Sequence, residues 1–273
     1  MVKTAVFLNG KFIKEDKAKV STLSPGFLYG WGLFETMRSR GNRIIYLQEH
    51  LKRLRGSAAL IGLKCPYTLG QLEKAIIKTV SLSGAWDCYV KVVLSKSEKS
   101  CDIIIIAKKY TPPSLTKYLR GFEASISSLR QNRDNFLARI KSTSYLFYQT
   151  AYSEAKKNGC DEALILNNSG HICEGSRANL FFVKDDQLFT PSLECGCLSG
   201  VTRKFILDTA KKYRIRSKQG DFRCVDLYSC NEAFLTNSLI GVMPLSRLEN
   251  RDIGKGSKRR MADFFMSKWN LKK

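Results

Sequence analysis

Histidine is almost absent: the 273-residue chain contains two, His50 and His171. That scarcity excludes zinc sites built on several imidazoles and argues against Ser-His or Cys-His nucleophilic chemistry. Protons in any reaction here must be moved by other groups. Acidic residues are also few, 24 against 46 Lys and Arg, which leaves a formal charge of +22. No run reaches the ~18 uninterrupted apolar residues that a membrane span requires. The opening MVKTAVFLNGKF runs into strand-like sequence without a signal-peptide layout, so a soluble cytoplasmic protein is expected. There is no G-x-G-x-x-G, no Walker A motif and no internal repeat.

The 44% hydrophobic content is enough for one large core or two modest ones and excludes a disordered chain. The nine cysteines are odd in number and scattered, a pattern of reduced thiols; the one close pair, Cys195 and Cys197, lacks the second pair of a metal site, so no metal is expected. The positive charge fits phosphate binding, but the basic residues are spread along the chain and no RRM, KH, zinc-finger or basic-zipper signature is present. A nucleic acid is therefore not the expected partner, although a basic RNA-binding protein stands as the rival from a different class.

The N-terminal third reads as mixed α/β. Leu51, Leu54, Ala58 and Ile61 fall at helical spacing, whereas Tyr89 to Leu94 and Ile103 to Ala107 are β-branched runs of strand length. Tyr110-Thr111-Pro112-Pro113-Ser114 interrupts regular structure, because adjacent prolines lack amide donors. This divides the chain into a small N-terminal α/β domain, 1–110, a linker, 111–116, and a larger C-terminal domain, 117–273. Tyr145, Tyr148, Tyr152 and Ala155 predict a helix ending near Asn158-Gly159. Two hairpins follow, around Asn168-Ser169-Gly170 and Asp185-Asp186, and predict an antiparallel or barrel-like core decorated with helices rather than a βαβ Rossmann domain. The basic tail 255–273 reads as a solvated helix.

The stretches that carry chemistry are Gly30-Trp31-Gly32-Leu33-Phe34-Glu35-Thr36, Glu49-His50-Leu51-Lys52-Arg53-Leu54, Arg139-Ile140-Lys141-Ser142-Thr143-Ser144-Tyr145, Cys173-Glu174-Gly175-Ser176-Arg177-Ala178-Asn179, Gly196-Cys197-Leu198-Ser199-Gly200-Val201-Thr202-Arg203 and Phe234-Leu235-Thr236-Asn237-Ser238-Leu239. In order and spacing they resemble the fold-type IV pyridoxal-phosphate enzymes, which include branched-chain aminotransferases, D-amino-acid aminotransferases and 4-amino-4-deoxychorismate lyases. The resemblance covers nearly the whole chain. It implies an α/β (α+β) enzyme, usually a homodimer, acting on a small molecule with pyridoxal 5'-phosphate as cofactor.

Residue by residue, Lys141 matches the family's Schiff-base lysine, whose pKa a neighbouring cation such as Arg139, or burial, would lower. Glu174 matches the glutamate beside the pyridine nitrogen. Tyr145 resembles the tyrosine that meets the phenolic oxygen, and Arg53 the phosphate-binding arginine. Val201 and Thr202 open a helical pattern at Ile206, Ala210 and Tyr213, a helix N-terminus suited to a phosphate. Ser238 occupies the last phosphate position. On the substrate side stand Phe34, Thr36, Lys91 and Asn237. Thr36, and the run Leu235-Thr236-Asn237-Ser238-Leu239-Ile240-Gly241-Val242-Met243-Pro244, resemble the lyases, whereas aminotransferases tend to carry a glycine at the first site and G-T at the second. Trp31 and the loop Ser95-Lys96-Ser97-Glu98-Lys99-Ser100 depart from the family pattern. The resemblance thus implies an aminodeoxychorismate lyase that yields pyruvate and 4-aminobenzoate for folate biosynthesis, with Lys141 and Thr36 as the catalytic pair. The alternative is a class IV aminotransferase acting on branched-chain L-amino acids or D-amino acids with 2-oxoglutarate.

Overall fold

A computed structural model describes residues 3–254 and 259–271. The chain forms two compact units: one comprises the residues up to Pro112 together with Ile140–Tyr145, the other Pro113–Arg139 and the residues from Leu146 onward.

In the first unit the elements are β1 (Ala5–Leu8), β2 (Lys11–Ile13), a single turn α1 (Pro25–Leu28), β3 (Gly32–Arg40), β4 (Arg43–Ile44), α2 (Leu47–Leu60), α3 (Leu69–Ser83), β5 (Asp87–Lys96) and β6 (Cys101–Lys109). The strands make one antiparallel sheet in the order β2-β1-β6-β5-β3-β4. Its strands alternate as a half-covered sheet must. On β5, Cys88, Val90, Val92 and Leu94 are buried, while Tyr89, Lys91 and Val93 on the other face are only partly covered. The covered face packs on α2 and α3, whose Leu51, Leu54, Leu72, Ile76 and Val80 are buried. Thr68 and Gln71 close a reciprocal capping box at the start of α3, and Gly84 ends the helix with φ +68°.

In the second unit the elements are α4 (Leu115–Arg120), β7 (Phe122–Gln131), α5 (Leu146–Lys157), β8 (Glu162–Asn167), β9 (Ile172–Gly175), β10 (Asn179–Lys184), β11 (Gln187–Pro191), α6 (Val201–Lys212), β12 (Ser217–Gly220), α7 (Cys224–Tyr228), β13 (Glu232–Asn237), β14 (Gly241–Leu248), β15 (Arg251–Asp252) and α8 (Arg260–Leu271). The sheet runs β12-β11-β10-β13-β14-β7-β8-β9, with β15 paired to β14. It curls into a half-barrel, so that the far strand β9 returns beside β10, where the Gly175 N–H donates to the Ala178 carbonyl at 2.6 Å. Leu164, Leu180, Phe182, Leu235 and Leu245 fill one side of it.

Both predicted hairpins form, β8 with β9 and β10 with β11. The barrel-like core also holds parallel pairs joined through helices: β7 runs parallel to β8 through the α5 crossover, and β11 runs parallel to β12 through α6. The sequence half-hides β7: Phe122, Ala124 and Ile126 alternate as in a strand, but Ser127-Ser128 break the pattern and the segment holds three serines. The tail also differs from the solvated helix expected: Ala262, Phe265 and Trp269 of α8 are buried, and Phe265 lies 5.9 Å from the Phe234 ring. The stretch 255–258 and the last two residues fall outside the described residues. Among the described residues no helix is long and apolar enough to cross a membrane.

Phe181 and Phe234 stack at 5.3 Å and are fully buried between the β10–β13 pair and α8. Phe181→Ala removes this stack and leaves a cavity, and should cost about 3–5 kcal/mol in a denaturant unfolding experiment.

Candidate active site

In the first unit the site is built on β3. Glu35 points to the covered side and is fully buried. It receives Arg53 through two donors of one fork, Nε at 2.7 Å and Nη2 at 2.6 Å, and the Nδ1–H of His50 at 2.6 Å. Burial alone would raise the Glu35 carboxyl; the Arg53 charge and the hydrogen bonds from His50 and Arg53 overcome it and hold the group down at about 2. Burial pushes His50 the other way, toward the neutral imidazole, despite its bond to Glu35. Arg53, expected to meet a phosphate, is therefore a guanidinium whose direction is set by a buried carboxylate. Neither Glu35 nor His50 receives a role from the sequence, since nothing in its spacing pairs a strand carboxylate with residues on the following helix.

The segment 140–145 docks along the edge of β3 in strand-like fashion. The Phe34 N–H donates to Lys141 O at 2.8 Å, the Thr143 N–H donates to Gly32 O at 2.9 Å, and the Thr143 hydroxyl donates to Gly30 O at 2.7 Å. A Cβ at Gly32 would come within 2.7 Å of Leu94 O and 2.8 Å of Thr143 Oγ1, so this approach needs glycine. The docking delivers Lys141 Nζ to a point 4.5 Å above the Phe34 ring and 5.8 Å from the Tyr145 ring, the two rings meeting edge-on at 5.2 Å. Lys91 Nζ contacts the same Phe34 ring at 4.5 Å. Thr36 stands opposite Lys91 in the β3–β5 register and its side chain hydrogen-bonds the Tyr89 hydroxyl. Phe34, Thr36, Lys91, Lys141 and Tyr145 are thus gathered on one face. Arg139, expected to be the cation tuning Lys141, is exposed and pairs instead with Glu194 at 3.5 Å; the cation sharing an aromatic contact with Lys141 is Lys91.

In the second unit Glu174, at the end of β9, is buried and takes three donors: Tyr148 Oη at 3.3 Å, Asn179 Nδ2 at 3.1 Å and the Leu198 N–H at 3.2 Å. Asn179 also donates to Leu198 O at 2.9 Å, which ties the loop before α6 to the carboxylate. That loop ends in Gly200, the N-cap of α6, where a Cβ would lie 2.0 Å from Asn179 Oδ1. The first-turn amides of a helix have no partners within the helix, and here they belong to Val201, Thr202 and Arg203. Thr202 Oγ1 is buried with no hydrogen-bond partner, as is Thr236 Oγ1 on β13. Asn237 donates to Arg177 O at 3.0 Å and accepts from the Leu239 and Ile240 amides, both at 2.9 Å, so it fixes the turn that carries Ser238. Asn237, expected on the substrate side, uses its side-chain amide to organise that turn. Tyr148 and Asn179 escape a reading of the sequence because their tie to Glu174 is tertiary.

Cys173, Cys195 and Cys197 cluster near Glu174, and burial raises all three thiols above their usual range. Among the described residues no group of three or more His, Cys, Asp or Glu side chains is placed to hold a metal.

The family model for class IV amino-transferases matches residues 32–248, a span that runs from the start of β3 to the end of β14. The chain belongs to this family of fold-type IV pyridoxal-phosphate enzymes. It is 30% identical over 263 residues to an aminodeoxychorismate lyase of Bacillus subtilis, covering 92% of this chain and 89% of that protein. Among solved structures it is similar to the branched-chain aminotransferase of Thermoproteus uzoniensis with norvaline, at TM-score 0.89 and 30% identity, covering 98% and 95% of the two chains. It is also similar to the T.th. branched-chain amino acid aminotransferase with pyridoxamine 5'-phosphate, at TM-score 0.91 and 26% identity, covering 100% and 96%.

Because the Glu35 carboxyl is depressed on folding, its pairing contributes stability that is complete above pH ~4.5 and is lost as the pH falls toward 2. Glu35→Gln should lower stability at pH 7 by about 3–5 kcal/mol, and its loss relative to wild type should shrink across that acid window. Urea unfolding at pH 7, 4 and 3 measures both.

Proposed function

We propose that the chain is a pyridoxal-phosphate-dependent 4-amino-4-deoxychorismate lyase that releases pyruvate and leaves 4-aminobenzoate for folate synthesis, working as a cytoplasmic homodimer. The residues present fit the cofactor. In the second unit the orphaned Thr202 hydroxyl, the α6 first-turn amides opened by Val201 and the Ser238 turn are donors suited to a phosphate, and in the first unit Arg53 is a guanidinium of the kind a phosphate takes. Glu174, fixed as an acceptor by three donors, is suited to hold a proton at the pyridine nitrogen. Bound through Lys141, pyridoxal phosphate supplies a sink for the electrons left when the carbon bearing the substrate nitrogen loses its proton.

Lys141 is the base for that proton. Its amine lies 4.5 Å from the Phe34 ring and 5.8 Å from the Tyr145 ring. Lys91 provides a positive charge for a substrate carboxylate on the same face. The observation that carries the lyase reading is Thr36: loss of pyruvate requires a proton for the departing three-carbon fragment, and the Thr36 hydroxyl, linked to Tyr89, stands on the face that carries Lys141 and Lys91.

A second reading, an aminotransferase, is favoured by the likeness to two solved branched-chain aminotransferases, and it begins with the same proton abstraction by Lys141. The enzyme supplied with 4-amino-4-deoxychorismate should form pyruvate and 4-aminobenzoate. Supplied with branched-chain L-amino acids or D-alanine and 2-oxoglutarate, it should form little glutamate. Thr36→Val should lower kcat for the lyase reaction about 100-fold with a small change in KM. Glutamate as the sole product would replace the lyase with the aminotransferase.

A further inference from the structure

Tyr148, one of the donors to Glu174, has a donor of its own. Gln131, the last residue of β7, is buried, and its side-chain Nε2 lies 2.9 Å from the Tyr148 hydroxyl. That hydroxyl lies 3.3 Å from Glu174 Oε1. The direction of this chain follows from its end. An ionised carboxylate only accepts and a phenol has one proton, so the Tyr148 proton points to Glu174 and the Gln131 N–H donates to Tyr148. Donors in series polarise one another, which strengthens the last of them. Gln131 is itself held in place: its carbonyl accepts from the Asn168 N–H at 3.2 Å, and a Cβ at Gly196 would come within 3.1 Å of its Cγ. Gly196 belongs to the loop whose Leu198 N–H is another donor to Glu174. Cys173, Cys197 and Arg203 also feel the Glu174 charge. Burial raises both thiols above their usual range, and Arg203 turns its guanidinium to Pro191 O at 2.9 Å and Gln219 Oε1 at 2.7 Å.

We propose that Gln131 and Tyr148 are positioning residues for the reaction: together they aim one hydroxyl proton at Glu174 and make it a poorer base, so that the proton between Glu174 and the pyridine nitrogen stays on the nitrogen. This rests on the reading of Glu174 as the partner of that nitrogen, and it holds for the lyase and the aminotransferase alike.

The test is a pH titration of the cofactor absorption band in the pyridoxal-phosphate-loaded protein, for wild type, Tyr148→Phe, Gln131→Met, the double variant and Glu174→Gln. A positive pyridine ring makes the nitrogen that joins the cofactor to Lys141 harder to protonate, so a ring that loses its proton moves the midpoint of the band upward. Tyr148→Phe keeps the ring that meets Phe147 at 5.3 Å and packs on Ala151 and Ile165. It should raise the midpoint by about 0.5 pH unit or more, a fraction of what one hydrogen bond to a charged group is worth. Gln131→Met should raise it less, and should add nothing in the Tyr148→Phe background, because it acts through the hydroxyl. A midpoint unmoved in Tyr148→Phe while Glu174→Gln shifts it removes the relay and keeps Glu174 at the pyridine nitrogen. Additive shifts from Gln131→Met and Tyr148→Phe overturn the relay as well, since the two side chains would then act separately. No band in the wild type, or a midpoint unmoved in Glu174→Gln, removes the cofactor reading and the relay with it.

Discussion

A single fully buried carboxylate, Glu35, anchors the site-bearing face of the first unit. Taking that charge out of water is favourable only because Arg53 meets it with two donors and His50 with a third. The consequence is geometric. β3 and α2 are fixed to one another, Arg53 is aimed, and the alternate residues of β3 are fixed on the opposite face. Phe34 and Thr36 are those residues, and the segment 140–145 pairs with the same strand. The position of the Lys141 amine over Phe34 thus follows from strand periodicity once Glu35 is locked.

The second unit uses the same device with neutral donors. Glu174 is bound by a tyrosine hydroxyl, a side-chain amide and a backbone amide, and the Asn179 amide joins it to the loop that starts α6. One carboxylate therefore sets its own orientation and that of the helix N-terminus. Gly200 is required there because any side chain would collide with Asn179. What remains unsatisfied is informative: Thr202 and Thr236 keep buried hydroxyls without partners, in a chain where most other buried polar side chains are bonded. Orphaned donors at a helix N-terminus are the signature of an anion site.

Much of this is legible in the sequence. The helix around Leu51, Leu54 and Ala58, the strands at 89–94 and 103–107 and the Asn168-Ser169-Gly170 turn follow from local periodicity and turn chemistry. The motifs around Lys141, Glu174 and Gly200 carry the family. What escapes depends on partners far apart in the chain. β7 is a parallel strand with Ser, Glu and Arg in it, so its place comes from its neighbours β8 and β14. α8 reads as a charged tail, yet Phe265 and Trp269 bury one face of it. Glu35 with His50 and Asn179 with Glu174 are likewise pairs that only the register or the packing reveals. Arg139 shows the converse, because its nearness in sequence to Lys141 does not make it the cation on the same rings.

The central claim is that Lys141, among the many lysines of a basic chain, is the one that carries the cofactor. Pyridoxal phosphate added to the purified protein, followed by borohydride reduction, proteolysis and mass mapping, tests it directly. The account predicts a phosphopyridoxyl group on the peptide containing Lys141 at near-stoichiometric yield. Label on another lysine, or spread over surface lysines with Lys141 unmodified, would contradict it.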